Sequence, residues 1–248
     1  MRLVRSLLAT AAGAATALAP VAALAQSVTV DLGGEGGSTA RIVQLVLLMT
    51  VLSLAPAILV TVTSFTRIIV VLSFLRNALG IQQTPPNVVM ISLALFLTGF
   101  VMAPTLQASY TDGLQPLMQD KITETEAAQR ALVPLHAFMM QHVRSQDLQL
   151  FADMAKIDKV AEAKDTPLRV LVPSFMISEL RRAFEIGFLL FLPFLIIDMV
   201  VASILMSMGM MMLPPVTISL PFKIIFFVLV DGWYLVAGSL VQSFGPGG

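Results

Sequence analysis

The sequence contains no cysteine, only two histidines and few charged residues. Without cysteine, a thiol nucleophile, a thiol redox pair and a cysteine-ligated zinc site are all excluded. A Gly-X-X-X-X-Gly-Lys-Ser/Thr phosphate loop and a Gly-X-Ser-X-Gly nucleophile elbow are also missing from the sequence. His136 and His142 are spaced so that they lie on different faces of a helix, which disfavours a metal site. We therefore expect neither an enzyme nor a bound cofactor.

Apolar residues dominate the chain: 57% are hydrophobic and 12% are charged, against about 25% charged in a typical soluble domain. Four long apolar segments, three of them interrupted by proline, run between the more polar stretches. They are Ile42–Val62 with its continuation Ile68–Leu75, Asn87–Leu106, Ile186–Met208 and Ile224–Gln242. The composition predicts an all-α membrane protein with partly kinked helical segments. The 15 basic and 15 acidic residues form no basic stripe, so a nucleic-acid partner is not expected.

The N-terminus has the pattern of a signal peptide over residues 1–25. A basic start is followed by the apolar, alanine-rich run Ser6–Leu18 and by Ala23-Leu24-Ala25, which has small residues at the two positions that a signal peptidase reads. We predict cleavage after Ala25. The alternative is an uncleaved first membrane helix, which the short apolar run disfavours.

The rest of the chain divides by composition into a lead-in, two helical hairpins and a polar insert. The predicted ranges are a flexible periplasmic lead-in at 26–40, a first hairpin at 41–108, a small helical periplasmic domain at 109–172 and a second hairpin at 173–248. Pro173-Ser174 is the predicted start of the third apolar helix. With the mature N-terminus outside, the loop holding Arg67 and Arg76 would be cytoplasmic, as the positive-inside bias requires.

Two amphipathic stretches occupy the polar insert. Thr123-Glu124-Thr125-Glu126 is a capping-box pattern at the start of the first stretch, and Ser145 or Asp147 is a possible N-cap for the second. We interpret the two as a helical hairpin packed by Phe138 and Phe151.

Charges within and beside the apolar segments require partners. Helical spacing pairs Glu179 with Arg182 and Arg181 with Glu185. Three more charges, Asp198, Lys223 and Asp231, lie within or at the entrance of apolar segments. Because a charge at mid-bilayer depth costs at least about 2.5–3.5 kcal/mol, the two aspartates are expected to face protein or water.

A methionine-rich connection, Gly209–Pro215, joins the last two apolar segments. Gly209 would end the first segment, and Pro214 with Pro215 would forbid an immediate second helix. Flexible thioether side chains can seal a gap and still yield to a passing chain. Met210, Met211 and Met212 thus either form a compliant plug or are ordinary apolar filler.

Five stretches of the sequence carry a family resemblance when taken together. They are Ser64–Ile68, Asn77–Asn87, Phe194–Asp198, Gly209–Pro215 and Leu220–Trp233. In this order and spacing they resemble the FliP family of flagellar type III export-gate proteins, and the resemblance covers nearly all of the chain from Arg41 onward.

The resemblance implies a pore subunit of a protein export gate in the bacterial inner membrane, at the flagellar basal body. Five copies would wind with FliQ and FliR into a cone-like assembly raised toward the periplasm, through which unfolded proteins pass. It also implies that the loop methionines form a gasket. Phe138, Phe151 and Glu179 would act in assembly or channel lining, and Asp198, Lys223 and Asp231 suit buried or cavity-lining positions. The alternative function is a small-solute or ion-coupled transporter using Asp198 and Asp231, although no internal repeat supports it.

Overall fold

The computed structural model describes residues 38–81, 83–157, 165–210 and 212–245. Within these ranges the regular structure is helical throughout and contains no strand, which confirms the all-α prediction for this part of the chain. Its α-helices, in order, are α1 Ser38–Val62, α2 Phe65–Ala78, α3 Asn87–Ser109, α4 Gln115–Met118, α5 Glu124–His142, α6 Ser145–Met154, α7 Leu168–Ser207, α8 Pro215–Leu229 and α9 Gly232–Gln242. A π-helical turn, Tyr110–Leu114, connects α3 to α4. The predicted signal peptide and its cleavage site at Ala25 lie outside the described residues.

The chain forms two compact units, Met1–Leu52 and Ser53–Gly248. The described part of the first unit is the beginning of α1, whose apolar side chains, including Leu47 and Met49, are largely exposed. The second unit holds all the other helices that the structure describes, and the hydrophobic core.

Helix α2 is the centre of that core. Ile68, Val71, Leu72 and Leu75 recur at the spacing of one helical face and are almost completely buried. This face packs against α7 and α3. The predicted loop at Arg67 and Arg76 is instead helical, since Arg67 lies in the first turn of α2 and Arg76 in its last turn. The side of the membrane on which these residues lie stays a prediction.

Helix α7 is 40 residues long and passes through Pro173 and Pro193 without a break. The predicted start at Pro173-Ser174 is wrong, because the helix begins at Leu168 after an extended Pro167. A proline in the second turn removes one backbone hydrogen bond, and the buried neighbours Leu171 and Phe175 hold the helix together across that gap. At about 1.5 Å per residue, α7 is roughly 60 Å long, twice the thickness of a bilayer's hydrocarbon core.

The polar insert contains the predicted helices in a different arrangement. The N-cap half of the predicted capping box is confirmed, since the Glu126 backbone N–H donates to Thr123 Oγ1 at 3.4 Å at the start of α5. The Glu126 carboxylate accepts a hydrogen bond from Arg130. The hairpin prediction is wrong. Helices α5 and α6 each pack on α7, and the Phe138 ring contacts Phe175 instead of Phe151.

The turn between α5 and α6 is held by α7 and not by a local N-cap. The N-cap residue of α6 is Arg144, so the predicted caps Ser145 and Asp147 are wrong. The Arg144 backbone N–H donates to Ser178 Oγ at 3.0 Å, and Ser178 Oγ lies 2.7 Å from Asp147 Oδ2, to which it can donate. A buried serine of α7 therefore accepts a hydrogen bond from the N-cap residue's own N–H and joins the start of α6 to α7.

The last apolar segment consists of two helices, α8 and α9. Helix α8 begins at Pro215 itself, since proline is well suited to the first helical position; Pro214 and Pro215 therefore start a helix and do not delay one. The chain then bends by 64° between α8 and α9, where Asp231 has a left-handed backbone with φ of 51°. A Cβ on the next residue, Gly232, would fall 2.1 Å from the Phe227 ring, so glycine is required at this bend.

By length and composition, two described helical runs, Asn87–Met118 and Leu168–Ser207, could each cross a membrane. Two bent pairs of helices would raise the number to four if each pair were one span. These pairs are Leu45–Leu54 with Pro56–Val62, and Pro215–Leu229 with Gly232–Gln242.

Candidate functional site

The methionine loop begins at a well-defined helix end. Gly209 has φ of +73°, the Met210 N–H donates to the Leu205 carbonyl at 2.9 Å, and the Gly209 N–H donates to the Met206 carbonyl at 3.1 Å. This pair of hydrogen bonds with a left-handed glycine is a Schellman motif, which ends a helix and fixes the direction of the chain that leaves it.

Two of the three loop methionines are described, and both are solvent-accessible in the single chain. Met212 is 98% exposed and Met210 is 44% exposed, while Met211 lies outside the described residues. The first residue of α8, Pro215, follows closely. The loop is thus a short link fixed at one end by Gly209 and at the other by a proline-started helix, and it projects an apolar side chain away from the core.

A buried ion pair joins the beginning of α2 to the middle of α7. Arg67 Nε donates to Glu179 Oε2 at 2.9 Å, and Arg67 Nη2 donates to Glu179 Oε1. The two side chains are 4% and 0% exposed. The predicted partner of Glu179, Arg182, instead contacts Glu185 at 3.4 Å, as does Arg181 at 3.1 Å, which confirms the second predicted pair.

The C-terminal segment completes the environment of Arg67. Arg67 Nη1 donates to the Ser243 carbonyl at 2.8 Å and lies 3.0 Å from Ser243 Oγ. The guanidinium carbon lies 3.8 Å from the centre of the Phe244 ring, a cation–π contact. No local sequence pattern predicts this role for Ser243 and Phe244, because the contact joins residues 176 positions apart.

Phe138 belongs to the same centre, whereas Phe151 does not. The Phe138 ring stacks on Phe244 at 6.2 Å and meets Phe175 edge-on at 5.9 Å. Phe151 lies half-buried on α6. Three residues are assigned to assembly or channel lining by resemblance alone. Of these, Glu179 bonds Arg67 directly, and Phe138 contacts the Phe244 ring that lies against Arg67.

A second polar centre lies between α7 and α8, behind the methionine loop. Lys223 Nζ donates to Asp198 Oδ2 at 2.6 Å and to the Ala78 carbonyl at 3.1 Å. Ser219 Oγ donates to Asp198 Oδ1 at 2.5 Å. Since Ala78 is the last residue of α2, this centre joins three helices. Asp231 is not part of it; this exposed residue has no hydrogen bond to its side chain at the start of α9.

Neither centre has the composition of a metal site. Among the residues that the structure describes, no group of three or more histidine, aspartate and glutamate side chains is placed to hold a metal ion. Each acidic group in the two buried centres is instead matched by a basic side chain. The arrangement can hold helices in fixed positions, and the methionine loop can present a flexible apolar surface.

Comparison with known proteins relates these features to one family. A model of the FliP family matches residues 48–240. The chain is 62% identical over 240 residues to the flagellar biosynthetic protein FliP of Caulobacter vibrioides, covering 96% of this chain and 90% of that protein. It is 60% identical over 202 residues to the protein of the same name from Bacillus subtilis, covering 82% and 91%. The corresponding protein of Aquifex aeolicus is 52% identical over 213 residues, covering 85% and 89%. The chain belongs to the FliP family.

Proposed function

We propose that this chain is a core, pore-forming subunit of the flagellar protein export gate, through which unfolded proteins leave the cytoplasm. Its relatives from Caulobacter vibrioides and Bacillus subtilis are named flagellar biosynthetic proteins, which supports a place in flagellum assembly. The observation that carries the pore proposal is the methionine loop, where Met212 is 98% exposed between two helices of membrane-type composition.

The physical properties of the loop suit a seal around a moving chain. Thioethers carry no charge and only weak hydrogen-bonding capacity, so a ring of them holds water and ions poorly. Methionine is also unbranched and flexible, so the same ring can open for an unfolded polypeptide and close behind it. Several copies of the loop around one axis would supply such a ring from Met210, Met211 and Met212.

The apolar surface of the single chain supports a membrane location and neighbouring subunits. Large apolar side chains are exposed along α3, α7 and α8, including Phe96, Phe188 and Val228, and a surface of this extent is covered by lipid or by other proteins. We propose homo-oligomerisation, with five copies, together with FliQ and FliR and the other export-apparatus proteins. The location would be the inner membrane at the flagellar basal body.

The length of α7 supports an assembly that rises out of the bilayer. About 20 residues cross the hydrocarbon core, and the apolar stretch after Glu185 is long enough for that. The part of α7 that ends at Glu185 packs against α5 and α6. It carries the charged residues Glu179, Arg181, Arg182 and Glu185. We propose that this part of α7, with the helical domain at 109–172, lies on the periplasmic side.

A carboxylate-based transporter has less support than an export gate. Its two carboxylates would be Asp198 and Asp231, but both oxygens of Asp198 are already bonded to Ser219 and Lys223. Asp231 lies apart from Asp198, at the junction between α8 and α9. An ion-coupling site needs carboxylate oxygens that are free to bind the ion.

The test is a triple variant, Met210→Ala/Met211→Ala/Met212→Ala, expressed with the complete export machinery. Shorter side chains widen the ring without adding charge, so we expect the gate to assemble while cells leak ions, which a membrane-potential dye records as depolarisation. Met118→Ala/Met154→Ala is the control, because these methionines are similarly exposed but lie outside the loop. Normal assembly with wild-type membrane potential in the triple variant would assign the loop methionines to packing.

A further inference from the structure

The polar centre behind the methionine loop has a geometry that the pore proposal does not use. Asp198 on α7 binds Ser219 and Lys223 on α8, and Lys223 also binds the end of α2. We propose that Asp198, Ser219 and Lys223 form a clamp that sets the position of the methionine loop relative to the helical core. This inference deepens the proposed function and rests on it for its physiological meaning.

The placement of the clamp along the two helices is nearly symmetric about the loop. Asp198 lies about two and a half turns before the end of α7, and Lys223 lies about two turns after the start of α8. The clamp therefore closes the base of a helix–loop–helix whose tip carries Met210 and Met212. If the base is fixed, α7 ends in a Schellman motif and α8 starts at a proline, the tip has little freedom to shift.

On the side of the clamp away from the loop, the buried Phe194 ring of α7 contacts the Phe226 and Phe227 rings of α8. On the loop side the two helices border an apolar groove, whose lining includes Val201, Leu205, Ile218 and Phe222. An open apolar contact tolerates sliding and rotation, whereas directional hydrogen bonds do not. Between the groove and the loop, the position of α8 relative to α7 therefore depends on the clamp.

The ion pair of the clamp is largely shielded from solvent. Each oxygen of the Asp198 carboxylate accepts one hydrogen bond, and the Lys223 and Asp198 side chains are 4% and 24% exposed. Removing one charged partner leaves the other without its counter-charge in a largely buried position, which is more costly than removing both. A single neutralising change should therefore disturb the loop more than the matched double change.

The Ala78 carbonyl ties the clamp to the rest of the chain. The carbonyls of a helix's last turn lack helical partners and carry the negative end of its dipole, so an ammonium group is favourable there. Lys223 provides that group at the end of α2, whose first turn carries Arg67. The bond from Lys223 to Ala78 thus fixes the position of the loop relative to α2, the helix at the centre of the core.

The experiment measures the base of the loop directly, and the lack of native cysteine makes it specific. Met208→Cys/Val216→Cys places two exposed positions on either side of the loop, and each accepts a nitroxide spin label. The labelled full-length chain is co-expressed with an excess of unlabelled chain and purified as the assembled complex. Pulsed electron paramagnetic resonance then reports the distance within one chain.

We expect one narrow distance peak for the otherwise unaltered chain and loss of that peak in Lys223→Met and Asp198→Ala. Lys223→Arg keeps the charge and should restore the narrow peak, which a change that merely weakened packing would not do. The double variant Asp198→Asn/Lys223→Met has no unpaired charge, so the width of its distance peak should lie between the widths for the unaltered chain and for the single variants. Ser219→Ala removes one hydrogen bond and keeps the ion pair, so it remains informative if the charge variants fail to accumulate, and it should broaden the peak.

Unchanged narrow distance peaks in Ser219→Ala and in the double variant would overturn the proposal that these residues clamp the loop. The pore proposal is judged separately, by membrane potential in cells that express the same variants. A lost peak with an intact membrane potential would support the clamp and count against the loop as the permeability barrier.

Discussion

Arg67 and Glu179 form a two-bond ion pair across 112 residues of sequence, with both side chains almost fully buried. The pair joins α2 to α7, the two helices with the most extensive mutual packing in the core. Its planar guanidinium also bonds Ser243 and lies against the Phe244 ring. One side chain therefore holds together the beginning, the middle and the C-terminal end of the compact unit.

We expect Arg67→Lys to destabilise the chain strongly. A lysine ammonium cannot reproduce the two parallel bonds or the stacking of a guanidinium. Breaking a buried pair costs about 3–5 kcal/mol when one partner is removed, and the lysine variant should lose a substantial part of that. The apparent melting temperature of the purified chain in mild detergent measures the effect.

Arg130→Lys is the matched control for this change. Arg130 pairs with Glu126 on the exposed surface of α5, where both side chains are about half exposed, and such pairs contribute roughly 0.3–0.5 kcal/mol. The two substitutions are chemically identical, so equal shifts in melting temperature would contradict the structural role of the Arg67 pair.

Phe244→Leu should weaken the attachment of the C-terminal segment. The substitution keeps an apolar side chain but removes the ring that faces the Arg67 guanidinium and stacks on Phe138. The lost cation–π contact is worth about 0.5–2 kcal/mol. Limited proteolysis should release the C-terminal end faster than in the parent chain. Phe96→Leu, at a highly exposed ring on α3, should leave the cleavage rate unchanged, and a similar rate in both variants would argue against this anchor.

Gly187→Ala and Gly99→Ala should have opposite effects although both glycines are in helices. A Cβ at Gly187 would fall 2.6 Å from the Phe74 ring, whereas a Cβ at Gly99 would meet nothing within 4 Å. Overpacking costs about 1–3 kcal/mol, and replacing an unhindered helical glycine by alanine gains about 1 kcal/mol. We therefore expect the melting temperature to fall for Gly187→Ala and to rise for Gly99→Ala. A rise for both would show that α2 and α7 are not in close contact at Phe74.

The sequence predicts local features of this fold well. Thr123 caps α5 as expected because its hydroxyl and the Glu126 backbone N–H lie within one helical turn. Gly209 ends α7 as predicted, because the left-handed conformation needed there favours glycine. The Arg181–Glu185 pair is also local, at i and i+4.

The contacts that the sequence did not predict depend on distant residues. Glu179 has Arg182 within helical reach, but the buried guanidinium of Arg67 is its partner because both lie on the faces that α2 and α7 bury against each other. Pro173 is a local start signal, but α7 begins at Leu168 because tertiary packing holds the helix across Pro173. The hydropathy of the last segment predicts Asp231 in its interior, whereas a left-handed bend places Asp231 at the junction of two helices.

The geometry of the methionine loop can be altered without changing its methionines. Gly209 has φ of +73° and open space around the position of a Cβ, so a substitution there changes backbone strain without a steric clash. A β-branched residue tolerates this conformation poorly, whereas asparagine adopts it more readily. Gly209→Val should therefore break the Schellman end of α7 and displace Met210, with all three methionines still present.

We expect cells with Gly209→Val to lose membrane potential during export and cells with Gly209→Asn to resemble the wild type. Gly238→Val is the control, because Gly238 also has open space but lies within α9 without a positive φ. If the seal depended only on having three thioethers in a flexible segment, Gly209→Val would hold the potential as well as Gly209→Asn. A leak confined to Gly209→Val would mean that the barrier depends on where α7 ends and on the direction in which the loop leaves it.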